Sequence, residues 1–434
     1  MQDIDFEQLP NMLFADQEGK IYDHPYLRMA GAAGDRIVCV NPHEIISLPA
    51  YSKLFYLPDC LPIGLDLETG RFVMLETVEV DGKLISPCAV SAFLEPGYVR
   101  THLPAADYNH RKYYLPMWAY TAVGIKNDEY VAAAFQIEYS ERWDPRNYDD
   151  VELVPAIEAY RSEVYNGPLV EHLVRCAIDH HCFAAKNLFL QRWEAPLPVS
   201  RSCNAACLGC LSRQPQGLFD ASHDRLAFRP SRKEVVKIAV HHLKNAEEAI
   251  VSFGQGCEGE PLTESDLISE SITHIRRDTD LGTINLNTNG SMPREVKRIA
   301  KSGLDSIRVS LNSARDDYYK AYYRPKGYDI GDVKESIKIA RAMGLYTMVN
   351  LLVFPGISDQ EEEIEALIAL VQDTGLNFLH LKNLNIDPAY YLECMPCSRS
   401  EAVGMKKMME ILKSELPHLE LGYFNQPIRR GVGR

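Results

Sequence analysis

Three cysteines, Cys203, Cys207 and Cys210, stand in the run Ser202-Cys203-Asn204-Ala205-Ala206-Cys207-Leu208-Gly209-Cys210, a CxxxCxxC spacing. Iron–sulfur clusters are held by cysteine thiolates. Three thiolates so closely spaced can cap three corners of a four-iron cube and leave the fourth iron open to an outside ligand. The same letters also suit a zinc knuckle, which would need a fourth protein ligand.

Extended apolar runs alternate with amphipathic ones around and after this loop. Residues 196–200 predict a strand ending just before Cys203, 231–245 a helix with Val235, Ile238, Ala239 and Leu243 on its apolar face, and 249–253 a buried strand. Helices at 263–278, 293–302, 331–343 and 360–374 then alternate with strands at 283–290, 306–313, 346–356 and 377–385. Ser358-Asp359 reads as the cap of the last of these helices, which opens on acidic residues. Six βα units predict an α/β chain with a partial (βα)6 TIM-like barrel. Its parallel strands are buried runs and its ligands belong at their carboxyl ends.

The cysteine spacing and the segments at these strand ends together resemble the radical S-adenosylmethionine (radical SAM) superfamily over about residues 195–415. Gly254-Gln255-Gly256-Cys257-Glu258-Gly259-Glu260-Pro261 is similar to the family's GGEP segment, with Glu258 in place of the first glycine. The resemblance implies that Gly259 and Glu260 hold the SAM ammonium. Thr288-Asn289-Gly290 resembles the family's TNG and brings in Asn289. Strand 306–313 sends Arg308, Ser310 and Asn312 to one side; the resemblance assigns Ser310 and Asn312 to the ribose, the alternative being polar layers of the barrel interior. The residue before the third cysteine is usually aromatic in the family and is Gly209 here, so SAM must lean on another ring. The resemblance further implies a [4Fe–4S] cluster on Cys203, Cys207 and Cys210, with SAM chelating the open iron. One electron, from a low-potential donor of flavodoxin or ferredoxin type, would cleave SAM to methionine and a 5′-deoxyadenosyl radical. That radical would take a hydrogen atom from an unidentified substrate, a small molecule or a protein side chain.

Three further groups carry candidate chemistry. The charged, tyrosine-rich run 315–326 reads as a closing loop or a surface helix, and Arg324 in it is a candidate partner for the SAM carboxylate. Cys394 and Cys397, with Cys257, are candidate auxiliary ligands or hydrogen donors, against the common case of inert buried thiols. His172, Cys176 and His180 recur at helical spacing with His181 and Cys182 adjacent. That face either binds a metal or is buried where the helix docks on the barrel.

The first 150 residues differ in kind. Alternating runs around Asp81-Gly82 and around residues 126–129 read as hairpins, giving a β-rich α+β domain at 1–150. A helical connector at 151–194 leads to the barrel and a short tail at 195–434. A chain of 434 residues exceeds what one core usually carries. No apolar run spans a membrane, and residues 1–7 lack the basic and apolar parts of a leader, so a reducing, cytoplasmic setting is expected. A net charge of -14 argues against a nucleic-acid substrate. Two other function classes fit the same letters: a cobalamin-assisted radical SAM methyltransferase, and a non-catalytic iron–sulfur sensor or partner-binding protein.

Overall fold

The computed structural model describes residues 8–216, 218–397 and 400–428. The reading of residues 1–7 and of the tail beyond 428 lies outside the described residues.

Seven parallel strands form one sheet whose spatial order is the chain order: Arg192–Pro196, Glu247–Phe253, Thr283–Thr288, Ser306–Leu311, Tyr346–Val353, Phe378–Asn383 and Glu420–Gly422. Six of these open the expected βα units; the short seventh extends the arc of the partial barrel by one strand. The third strand shows why such strands read as buried runs. All six of its residues are buried, with Ile284 and Leu286 in the main apolar core and Asn285 and Asn287 on the alternate face. The polar face forms a bonded ladder inside the barrel. Asn285 Nδ2 donates to Ser252 Oγ (3.2 Å), Ser306 Oγ to Asn285 Oδ1 (2.9 Å) and Arg308 Nε to Asn287 Oδ1 (2.8 Å).

Several boundaries differ from the expected ones for local reasons. The first strand is Arg192–Pro196 instead of 196–200, because the Val199 and Ser200 N–H groups donate to the Glu258 carboxylate and not to a neighbouring strand. The connector accordingly ends before Arg192, as three helices, Asp150–Glu163, Pro168–Ile178 and Phe183–Phe189. Helix Arg232–Asn245 starts at a capping box of Ser231 and Glu234. Gln360 caps helix Glu361–Thr374, since Asp359 instead accepts the Gly356 N–H (2.6 Å) and Ser358 Oγ the Phe354 N–H (2.9 Å). The run 315–326 is neither an open loop nor a surface helix. Its helix, Asp316–Tyr323, buries all four tyrosines.

The amino-terminal part is a 13-stranded antiparallel sheet running from Asn11–Ala15 to Glu129–Gln136, with Val78–Val80 and Lys83–Ile85 paired separately. In the hairpin joining Val123–Lys126 to Glu129–Gln136, Asn127 and Asp128 both have positive φ (52° and 63°), the backbone a type I′ turn needs. This sheet sits over the carboxyl ends of the fifth and sixth barrel strands. Arg100 Nη2 donates to the Leu384 carbonyl (2.9 Å), and the buried Asp387 accepts from Arg111 and from the Leu115 N–H (2.7 Å each). Gly34 N–H reaches the Pro355 carbonyl (2.8 Å) beside Gly356, where a β-carbon would stand 1.9 Å from the Gly34 nitrogen.

Candidate functional site

The cysteine loop leaves the carboxyl end of the first barrel strand and is bonded along both sides. Gly259 and Glu260 donate to the Ser200 and Ser202 carbonyls (2.8 Å each), and Ala206 and Leu208 donate to the Tyr323 and Tyr322 carbonyls (3.0 Å each). A β-carbon on Gly259 would lie 2.0 Å from the Ser202 carbonyl oxygen, so only glycine permits this approach. Cys203, Cys207 and Cys210 are partly exposed and line one cavity of about 420 Å³ with Arg213, Arg225 and Arg324. Arg225 Nη2 lies 3.3 Å from Cys210 Sγ.

Among the described residues no histidine or carboxylate lines this cavity. Burial pushes the Cys203 and Cys207 thiols up, and a metal bound there would draw off their protons. A single zinc ion would draw thiolates to about 3.8 Å from one another. Among the described residues these three do not form a group whose donor atoms all lie within 4.8 Å. Three spread thiols, an arginine fringe and no fourth protein donor fit a cluster with one open corner.

The structure redistributes the other expected residues. Glu260 is buried, and its carboxylate accepts from the Leu262 N–H (3.0 Å), the Asn289 N–H (2.8 Å) and the Thr288 hydroxyl. Most of its capacity is spent tying the second strand end to the third. Asn289 is a strut as well: Nδ2 donates to Asn204 Oδ1 (2.8 Å) in the cysteine loop, and Oδ1 accepts the Ser291 N–H (3.0 Å). Ser310 faces a second cavity of about 340 Å³, together with Cys207, Gly209, Asn350, Lys382 and, from the amino-terminal sheet, Phe93. Asn312 does not line it. The strand ends at Leu311, the alternation stops there, and Asn312 Nδ2 donates to the Tyr318 carbonyl (3.2 Å). Arg324 caps helix Asp316–Tyr323 in the left-handed region (φ 47°) and lines the cysteine cavity.

The proposed grouping of Cys257 with Cys394 and Cys397 is not formed. Cys257 is buried against His172 and Cys176, Cys394 lies beside Arg324 (3.8 Å) and Cys397 is exposed. Tertiary contact also reveals residues that spacing did not. Glu258, at the position where the family has glycine, accepts four backbone N–H groups, from Val199, Ser200, Gly254 and Gln255 (2.6–3.1 Å). Tyr322 places its phenol where a side chain on Gly209 would be, 2.6 Å from the position of a β-carbon there. Burial, reinforced by Arg308, drives the Lys382 amine well below its ordinary range, and its Nζ lies 3.2 Å from the Tyr423 ring centroid.

The family model of the radical SAM superfamily matches residues 197–368, the stretch that holds the three cysteines and the second to fifth barrel strands. Over these residues the chain matches the radical SAM superfamily. A GTP 3′,8-cyclase of Lactiplantibacillus plantarum is 25% identical over 225 residues, covering 50% of this chain and 60% of the cyclase. The molybdenum cofactor biosynthesis protein 1 of Bos taurus is 25% identical over 226 residues, covering 52% and 32%. Two further cyclases are matched over 53% and 48% of their length, so the chain spans about half the length of such relatives. Among solved structures, Streptococcus suis SuiB bound to S-adenosylmethionine aligns over 72% of this chain and 71% of its own at 14% identity, with a TM-score of 0.38. Enzymes of the radical SAM superfamily use a [4Fe–4S] cluster and SAM and need a reductant and a substrate. No helix among the described residues is long and apolar enough to cross a membrane.

Proposed function

We propose that Cys203, Cys207 and Cys210 hold the cluster, and that the chain abstracts a hydrogen atom from a substrate held between the barrel mouth and the amino-terminal sheet. The observation that carries this reading is a cavity with three cysteines, three arginines and no fourth protein ligand. Held there by Cys203, Cys207 and Cys210, the cluster would supply one electron to SAM, and SAM would supply the hydrogen-abstracting group, leaving methionine and 5′-deoxyadenosine.

The chain's own groups orient and exclude. The Gly259 carbonyl is the acceptor for the SAM ammonium, since Glu260 and Asn289 are occupied with one another. Arg324 faces the SAM carboxylate, Ser310 the ribose, and Tyr322 supplies the ring absent at Gly209. Phe93 and Leu94 of the β-rich unit 1–150 roof the second cavity and select the substrate. Lys382 lines the same cavity, and an anionic substrate, a class that includes the triphosphate named for the cyclase relatives, would restore the proton on its amine as it binds. A flavodoxin- or ferredoxin-type donor delivers the electron.

The test is anaerobic reconstitution with iron and sulfide, then dithionite and SAM. The reduced cluster's EPR signal is expected to change when SAM is added, and 5′-deoxyadenosine to form, in the intact protein and not in Cys203→Ala. A reduced cluster whose spectrum ignores SAM overturns the reading. Methyl transfer that requires added cobalamin replaces it with the corrinoid-assisted one.

A further inference from the structure

Helix Pro168–Ile178 places His172 and Cys176 one turn apart, and the loop after the second barrel strand brings Cys257 against them. One donor atom from each of the three lies within 4.8 Å of the other two, and the side chains are only 2%, 1% and 3% exposed. Cys176 Sγ and His172 Nε2 are 3.8 Å apart. Donors at tetrahedral corners around zinc, with bonds of about 2.0–2.3 Å, stand roughly 3.5 Å from one another. The trio would have to draw in by about an ångström at most to seat such an ion.

A fourth donor approaches from the cysteine loop's own continuation. Leu226 N–H donates to the Cys257 carbonyl (2.8 Å), which holds this segment beside the trio. Three residues earlier, His223 lies near Cys176 and His172 but outside the 4.8 Å group, so its ring would have to turn inward to complete the set. Its Nδ1 meets Ser222 Oγ (3.0 Å), which leaves Nε2 for a metal. His180, expected on the His172 face, lies past the helix end at Ile178. It accepts the Asp224 N–H (3.3 Å) and packs 5.4 Å from the His223 ring, so it positions His223. His181 and Cys182 do not join the group.

We propose that a zinc ion held by His172, Cys176 and Cys257, with His223 Nε2 as fourth ligand, staples the connector helix to the two loops that frame the cluster cavity. The set is two thiolates and two neutral imidazoles, and the thiols release two protons on binding. Cys257 stands directly before Glu258, so the ion would fix the loop that receives the Val199 and Ser200 N–H groups.

The experiment uses the full-length protein purified anaerobically without added metal, with zinc measured by mass spectrometry and its ligands by X-ray absorption at the zinc edge. About one zinc per chain is expected, with two sulfur and two nitrogen neighbours. Cys176→Ser and His223→Ala should each weaken zinc retention against a chelator by tenfold or more. Should these variants fail to fold, the zinc-edge spectrum of the intact protein decides alone. The proposal is overturned by the absence of zinc, or by zinc with three sulfur ligands, which would place it on Cys203, Cys207 and Cys210. Recovery of Cys176 and Cys257 as a disulfide-linked peptide from unreduced protein also overturns it.

Discussion

Gly209 and Tyr322 should be energetically coupled, by an amount the structure fixes. Gly209 is outside the left-handed region, so its backbone accepts alanine. A β-carbon there would stand 2.6 Å from the Tyr322 phenol oxygen, 3.5 Å from its Cζ and 3.6 Å from the Asn385 carbonyl. Only the first distance is a clash. Tyr322 is 2% exposed, and its ring packs edge-on against Tyr323 (5.0 Å) and Tyr391 (6.2 Å), so it cannot swing aside. Overpacking of this kind costs about 1–3 kcal/mol. Tyr322→Phe alone loses a phenol hydrogen bond with the Gly209 backbone, about 1 kcal/mol. In the double variant the new methyl group fills the space of the missing oxygen and meets Cζ at ordinary contact distance. The double-mutant cycle should therefore return a coupling of about 1–3 kcal/mol. Urea denaturation of the four proteins, compared at a shared slope, reads it. A Gly209→Ala cost that is the same in the Tyr322→Phe background as in the parent chain, or that vanishes in the parent chain, refutes the reasoning.

Glu258→Gln turns an amide nitrogen toward two backbone N–H groups now bonded to oxygen. The expected loss is about 2–5 kcal/mol, read as a lower urea midpoint together with less iron retained per chain. Arg225→Gln removes the cation 3.3 Å from Cys210 Sγ; an EPR-monitored redox titration should find the cluster potential lower, on the order of 50 mV for about 1 kcal/mol of lost stabilisation. Burial, opposed by the Ser313 hydroxyl and the Ala314 N–H, pushes Glu363 up from an ordinary 4.5 to about 7. The folded chain thus binds this proton more tightly than the unfolded chain. The stability it contributes is complete below pH 4.5, falls as pH rises toward 7 and is flat above, a change of about 3 kcal/mol. Glu363→Gln should remove that slope from the pH dependence of the urea midpoint, and an unchanged slope refutes the assignment.

Local pattern made the barrel legible, and contacts between distant segments hid the rest. The strand cores at 249–253 and 283–288 announce themselves because buried parallel strands are written in apolar and alternating residues. Ser231 and Glu234 mark a helix start from one short stretch of sequence. The CxxxCxxC run is legible because cluster ligands on one loop must be close in sequence. Nothing near Glu258 indicates that its carboxylate will collect N–H groups from Val199 and Ser200, and for that reason the pattern puts the first strand at 196–200 instead of Arg192–Pro196. The helix spacing of His172 and Cys176 is visible in sequence, but their partner Cys257 lies on another element, and the run of spacing to His180 ends with the helix. Gly209 reads as a lost aromatic, whereas Tyr322 already fills its place from a helix whose sequence reads as a surface one.

The amino-terminal sheet is attached to the barrel mouth by groups that tolerate little displacement. Arg100 is fully buried; its guanidinium bonds Tyr120 within its own sheet and Leu384 on the barrel, and its backbone N–H bonds Asn383. Asp387 is fully buried and takes Arg111 and Leu115 from the sheet side and Tyr390 from its own helix. Separating such partners leaves an unpaired buried charge, which costs about 3–5 kcal/mol for a single pair, and two sites would have to open together. A hinged lid is normally drawn from the weakly held parts of a fold, and this seam is the opposite. Phe93 and Leu94 therefore roof the second cavity as a standing wall. On the proposed reading, a substrate is selected by a shape that exists before it binds.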